Sequence, residues 1–334
     1  MERTPASFGP GVFLFYGGTM ADKVFKTHDE LIALLISRGI DISTPEHKSF
    51  AKKALQHKGY YNLINGYSKL FILSTIPDDR YKPGTTVEEI CALYDFDRAL
   101  RNIFFKYILS FETNIKSLIA YYFPQKYGHD NYMLYKNFET NKKEANKNIT
   151  SVIADFQKQI SSRAADPSIE HYLKKYGYVP LWVLNNILTL GQISKFYSIL
   201  KQPDRQQISK IFHITDNQLE SILFYLSAVR NFSAHGNRLY CFRTKRPLAD
   251  FEAHSAMQLT KTDGKEYDVG KRDLFAAMIA LHYVLSTADY KKMIKEIYRQ
   301  FSYFRARMNV LREEDILREM GFPIDWRKRL LNLK

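Results

Sequence analysis

The stretch 218-QLESILFYLSAVRNFSAHGNRLYCFRTKR-246 decides how the chain is read. Leu219, Ile222, Leu223, Leu226 and Val229 recur at helical spacing, so one face is apolar and seeks a core. Thr215 and Gln218 stand three apart just ahead of that run, in the pattern of a capping box. Where the apolar face ends, Arg230, Asn231 and His235 arrive together. From there to residue 246 the charged residues are all basic: Arg230, Arg238, Arg243, Lys245 and Arg246. A polar triplet on a buried helix, followed by a basic tail, points to chemistry on a polyanion.

Working outward, the periodicity stays helical. Thr27 and Glu30 form a capping box before a helix over 31–37, closed by Gly39. Thr44-Pro45 opens a second helix through Gln56, with Lys48, Lys52, Lys53 and Lys58 as a basic face. Residues 60–71 read as helical with an interruption near Gly66, and 77–84 as a loop. Thr86 and Glu89 open the longest run, about 87–123, ended by Pro124 and spanning roughly 50 Å. Residues 124–147 read as loop. Helices follow at about 148–163, 168–176, 181–200 as one unit, and 204–212. Residues 246–268 read as an insertion or short β-hairpin. Helices return at about 270–286, 288–308, 311–320 and 323–332. Strand patterns are scarce, so the class is all-α, a bundle of packed helices. Four regions are expected: a disordered leader over 1–22, an N-terminal helical region over 23–85, a helical core over 86–245, and an insertion with basic C-terminal helices over 246–334.

The chain has 334 residues, a formal charge of +14 and pI ≈ 9.4. Hydrophobic content of 45% and charged content of 25% are ordinary for a soluble globular protein. The basic excess favours an acidic partner, nucleic acid ahead of membrane. No apolar run reaches the ~20 residues of a membrane span. Two cysteines, Cys91 and Cys241, form no CxxC pair, which fits a reducing, cytoplasmic setting. No cluster of Asp, Glu, Cys and His calls for a metal, and no cofactor motif is present.

The triplet has a chemical reading. Histidine exchanges a proton near neutral pH, while arginine stays charged and grips phosphate with a planar fork. Together they suit phosphodiester cleavage where the nucleophile is the 2′-OH of RNA. His235 would move the proton, Arg230 would stabilise charge on the phosphoryl oxygens, and Asn231 would orient the imidazole or the phosphate. The competing reading makes Arg230 a capping or pairing residue and His235 a polar helix end. Spacing also opposes convergence, since five residues leave the two side chains some 140° apart on a regular helix. Either the helix distorts, or the arginine reaches round, or a dimer shares the cleft. Glu112 and Lys116 stand at i, i+4 and form either a surface ion pair or a device that turns Glu112 inward to Arg230.

Several blocks, in order, resemble the Abi-like abortive-infection proteins of bacteria (the AbiD/AbiF group), whose core belongs to the HEPN superfamily. They are 34-LLISRGI-40, 60-YYNLINGY-67, 94-YDFDRALRNIFFKYILSFETNIKS-117, 180-PLWVLNNILTLGQISKFY-197 and 229-VRNFSAHGNRLY-240. The resemblance implies a HEPN-like helical bundle, commonly a homodimer, and in many members a metal-independent ribonuclease. It matches the family's Arg and His to Arg230 and His235, its polar residue to Asn231, and an acidic helper to Glu112. It implies cleavage that leaves a 2′,3′-cyclic phosphate, a role in phage defence, and in some members a structured noncoding RNA as partner in a toxin–antitoxin-like pair. The chain departs from the pattern at Lys116, where many relatives carry Arg, and at Cys241, where many carry Asn. RNA contacts are expected from Lys48, Lys52, Lys53, Lys58, Arg238, Tyr240, Arg243, Lys245 and Arg246. A catalytically silent binder of a cognate RNA remains the alternative to a nuclease.

Overall fold

The computed structural model describes residues 24–333. The leader expected over 1–22 lies outside them. The described residues are mainly helical, with two small antiparallel hairpins as their sheet.

The spine is α3, Val87–Tyr127, 41 residues long. Its apolar stripe, including Ile90, Leu93, Leu100, Phe104, Ile108, Phe111, Ile115 and Ile119, is buried. The helix runs past Pro124, which was expected to end it. Proline removes one backbone donor, and so close to the helix end little of the ladder is left to disturb. Gly128 closes the helix at φ 88°, its N–H donating to the Pro124 carbonyl at 2.9 Å. Thr86 caps the other end, accepting from the Glu89 N–H. Glu89 does not complete the box. Its carboxylate accepts instead from the backbone of Asn309 and Val310, the latter at 2.9 Å. The start of the spine is thereby tied to the C-terminal helices.

The helices packed most extensively along α3 are α2 (Pro45–Lys58), α6 (Leu181–Ile187), α9 (Asp216–Ala234) and α12 (Thr287–Arg305). The α1 helix (His28–Ser37) lies on α2. Residues 61–65 form one wide helical turn, and the segment 77–84, expected to be a loop, contributes the short strand β2 (Arg80–Tyr81), which pairs with β1 (Ile72–Ser74). The 124–147 segment is more ordered than its polarity suggested. It holds two tight turns that bury Tyr132 and Phe138, followed by α4 (Ala145–Ser162) and α5 (Pro167–Tyr176).

The apolar run 181–200 is two helices, α6 and α7 (Leu190–Ile199), rather than one. Leu188 is extended, and Thr189 caps α7 through a reciprocal box with Gln192. Gly191 therefore sits in a first turn rather than mid-helix. After α8 (Gln202–Ser209) comes α9, enclosed by α3, α7, α8 and α11. Its cap is the Thr215–Gln218 box, and all five of its periodic apolar residues are fully buried. The 246–268 segment forms the short α10 (Glu252–Ala256) and the hairpin β3–β4 (Lys261–Thr262 with Glu266–Tyr267). Next, α11 (Leu274–Val284) is apolar on every side, and every residue from Leu274 to Leu281 is buried. The short α13 (Glu313–Met320) and α14 (Trp326–Leu331) close against α12.

Candidate active site at the end of helix α9

The end of α9 is built by its own sequence. His235 is the capping residue, its N–H bonded to the Asn231 carbonyl at 3.1 Å. Gly236 follows at φ 70°, a left-handed conformation that glycine adopts without strain. The Gly236 N–H reaches Ser233 O at 3.3 Å, and the Asn237 N–H reaches Phe232 O at 3.2 Å. This paired closure satisfies the last carbonyls and turns the chain sharply out of the helix.

The loop that leaves this turn is gripped from two directions. Asp97 of α3 is fully buried and accepts from the Tyr240 N–H at 2.7 Å and the Tyr67 hydroxyl at 2.8 Å. Arg101 pairs with the same carboxylate, and its guanidinium donates to Tyr67 Oη at 3.0 Å and to the Asn237 carbonyl at 3.2 Å. Arg238 donates to the Gly66 carbonyl at 3.0 Å. Burial pushes the Asp97 carboxyl up, to about 6, against the pull of Arg101 and the donors around it. The cap residue His235 therefore sits on a turn whose exit is fixed by α3 and by the wide turn at 61–65.

One turn back, Arg230 points toward α3. Its Nε lies 3.6 Å from Glu112 Oε2, and its guanidinium carbon lies 5.4 Å from the Phe105 ring centroid. Glu112 is only 6% exposed and spends its other oxygen on Lys116, at 2.8 Å. Of the two sequence readings of Glu112, the inward one is observed. At 3.6 Å the contact is electrostatic rather than a hydrogen bond. Neither facing atom has a hydrogen-bond partner among the described residues. The guanidinium is held in place but its donors are not all consumed.

Asn185, which the sequence reading did not single out, is bonded to the segment of α3 that carries Glu112 and Lys116. It is 2% exposed on α6, donates through Nδ2 to the Lys116 carbonyl at 2.9 Å, and leaves Oδ1 without a partner among the described residues. An asparagine pair inside an apolar run was the available signal.

His235 and Asn231 are exposed, and no hydrogen bond joins Arg230 to His235 among the described residues. Helical geometry persists through Ala234, so one chain keeps the angular offset expected from the spacing.

The expected RNA contacts divide. Lys48, Lys53 and Lys245 are exposed, and Arg246 is exposed with its guanidinium 4.5 Å from the Phe224 ring centroid. Lys52 pairs with Asp29 at 2.9 Å, and Lys58 pairs with Asp95 at 3.1 Å beneath the Tyr94 ring. Arg238 and Arg243 are tied to carbonyls, the latter to Phe242 and Glu319, both at 2.8 Å. Tyr240 offers no ring to a ligand. It is 2% exposed and packs on Tyr67, because the Asp97 grip draws its backbone into the core.

Among the described residues no group of His, Cys, Asp and Glu could hold a metal ion, and no helix is long and apolar enough to cross a membrane. A family model described as Abi-like protein matches residues 53–241, more than half of the chain. The chain belongs to the Abi-like protein family. No curated protein and no solved structure matches it. The Abi-like span runs from within α2 to the loop after His235, so it encloses Asp97, Glu112, Lys116, Asn185, Arg230 and His235. Arg243, Lys245 and Arg246 fall beyond it.

Proposed function

We propose that this Abi-like protein acts in phage defence as an RNA-binding, metal-independent endoribonuclease of the HEPN type, held in check by a structured noncoding RNA. The observation that supports this most is the Arg230–Glu112 pair. It keeps a cation oriented at 3.6 Å from its partner, in a half-buried position one turn from an exposed histidine, with bonding capacity left over. A phosphodiester would take up that capacity through the guanidinium's remaining donors.

The chemistry asks little of the protein. His235 takes the proton from the 2′-OH, that oxygen attacks phosphorus, and the 5′-oxygen leaves with a proton returned by an acid. Arg230 offsets charge on the non-bridging oxygens. The products are a 2′,3′-cyclic phosphate and a 5′-hydroxyl. Since Arg230 and His235 are offset within one chain, two copies sharing a cleft would supply the complete set.

That same offset favours a second reading. Within one chain Arg230 faces Glu112 rather than His235, as expected of a protein that binds a cognate RNA without cutting it. One titration separates the two. With His235→Ala, the nuclease reading expects cleavage to vanish and RNA affinity to stay within a few-fold. Equal cleavage by wild type and variant overturns it.

A further inference from the structure

A row of aromatic rings runs along the edge of the core. His171, Tyr172 and Tyr176 lie on α5, Tyr178 in the link to α6, Trp182 on α6, and His129 just past the end of α3. Neighbouring rings are in contact along the whole row. Centroids are 5.4 Å apart from His171 to Tyr172, 5.5 Å from Tyr172 to Tyr176, and 6.4 Å from Tyr176 to Tyr178. They continue at 5.1 Å from Tyr178 to His129 and 6.0 Å from His129 to Trp182. The Tyr178 hydroxyl and His129 Nε2 are hydrogen-bonded at 2.7 Å, which fixes the middle of the row.

Core packing explains only part of the row: Tyr172 is half-buried against the core and Tyr178 is half-buried, whereas His129, His171, Tyr176 and Trp182 are exposed. Tyr176 is 47% exposed and Trp182 43%, whereas the other tryptophan, Trp326, is 2% exposed. A contiguous exposed aromatic surface marks an interaction site, where single exposed apolar residues would not. Every ring but one here is a Tyr or a His, and the last is a Trp, so each carries a polar tip. Lys175 Nζ lies 5.2 Å from the Tyr176 centroid, and Lys174 is exposed beside it, paired with Glu170. Rings interleaved with lysines suit nucleobases above a phosphate backbone, and the chain carries +14 overall.

The row also leads somewhere. Trp182 and Asn185 are three residues apart on α6, and Asn185 is bonded to the Lys116 carbonyl, one turn along α3 from Glu112. The rings thus stand on the helix that also meets the segment of α3 carrying Glu112.

We propose that the ring row from His171 to Trp182 is a base-stacking subsite for single-stranded RNA, delivering the strand to the end of α9. This rests on the RNA reading above and adds where, and in which form, the RNA is held.

The test reads tryptophan emission from the full chain carrying His235→Ala, so that the probe stays intact. The probe is a single-stranded uridine oligomer, with duplex RNA of equal length as comparison. Stacking on the exposed Trp182 quenches its emission while the buried Trp326 remains bright. The single strand is expected to quench and the duplex is not. Trp182→Ala removes the quench and, with affinity read from the anisotropy of an end-labelled oligomer, weakens single-strand binding about tenfold; Tyr176→Ala weakens it comparably while keeping the reporter. Trp182→Phe restores most of the affinity. The salt dependence is unchanged in all three, because stacking releases no counterions. Single-strand binding of equal strength in Trp182→Ala and Tyr176→Ala removes the subsite and leaves the RNA reading intact. Quenching that follows protein concentration without RNA makes the row a contact between copies of the chain and overturns the proposal. No binding of any RNA by the wild type removes both.

Discussion

Replacing Asp97 with alanine removes the acceptor at the centre of the grip on the His235 turn. Three groups lose an acceptor together: the Arg101 guanidinium, which keeps only Tyr67 Oη and the Asn237 carbonyl, the Tyr67 hydroxyl and the Tyr240 N–H. Asp97 is fully buried and the Arg101 side chain is 10% exposed, so water reaches only part of what is stranded. Breaking a buried ion pair from one side costs roughly 3–5 kcal/mol, and the slight access at Arg101 places the expectation at about 3 kcal/mol. For a chain of 334 residues that is a fall in melting temperature of about 4 °C. Removing both charges in Asp97→Ala/Arg101→Met strands neither, so the double variant should cost clearly less than the sum of the two single changes. Thermal unfolding followed by far-UV circular dichroism on the four proteins gives the cycle. A single Asp97→Ala loss below about 1 kcal/mol, the range of a surface substitution, would refute the reasoning. So would strict additivity, since it would mean that the two groups do not act as a unit.

Three other expectations are independent of that cycle. Glu112→Gln keeps an acceptor for Lys116 but loses the charge that orients Arg230. Cleavage should fall by about 10- to 100-fold with the melting temperature little changed, and undiminished cleavage would remove Glu112 from the site. Gly321→Ala adds a Cβ at a residue of φ 72° that would overlap the carboxyl of Asp273, whose oxygen caps α11, and should destabilise by at least about 2 kcal/mol in a denaturant titration. A near-neutral result would mean that the α13–α11 contact yields easily. Burial raises both the Asp97 and Asp273 carboxyls from 3.8 to about 6. A raised carboxyl favours the fold when protonated, so each contribution is full below about pH 4 and lost as pH rises through about 6. Between those limits wild type should lose stability relative to Asp273→Asn, and parallel pH profiles would contradict the shift.

Much of this was legible locally. The Thr215–Gln218 box, the five apolar positions of α9 and Gly236 after His235 define that helix from cap to closure, because capping and glycine chemistry act within a turn. The split at Leu188–Thr189 was also written in the sequence, as Thr189 and Gln192, but a continuous apolar run obscured it. What was not legible depends on distant partners. Lys116 explains Glu112 equally well on a surface or in a core, and only the docking of α9 on α3 turns Glu112 toward Arg230. Tyr240, beside arginines, reads as an exposed ring until Asp97, 143 positions earlier, is seen to hold its backbone. Glu89 has the right spacing for a capping box, yet its carboxylate goes to the backbone of Asn309 and Val310. Local patterns set where helices begin and end, whereas the fate of a buried charge is set by tertiary packing.

The most direct test of the central claim is the chemistry of RNA ends. Wild type and Arg230→Ala/His235→Ala are purified with their co-expressed nucleic acid, and the RNA that comes off is sequenced with its termini defined. The account predicts bound RNA with both proteins, and 2′,3′-cyclic phosphate ends with the wild type alone. The same intact RNA with both proteins, or no RNA with either, would contradict it.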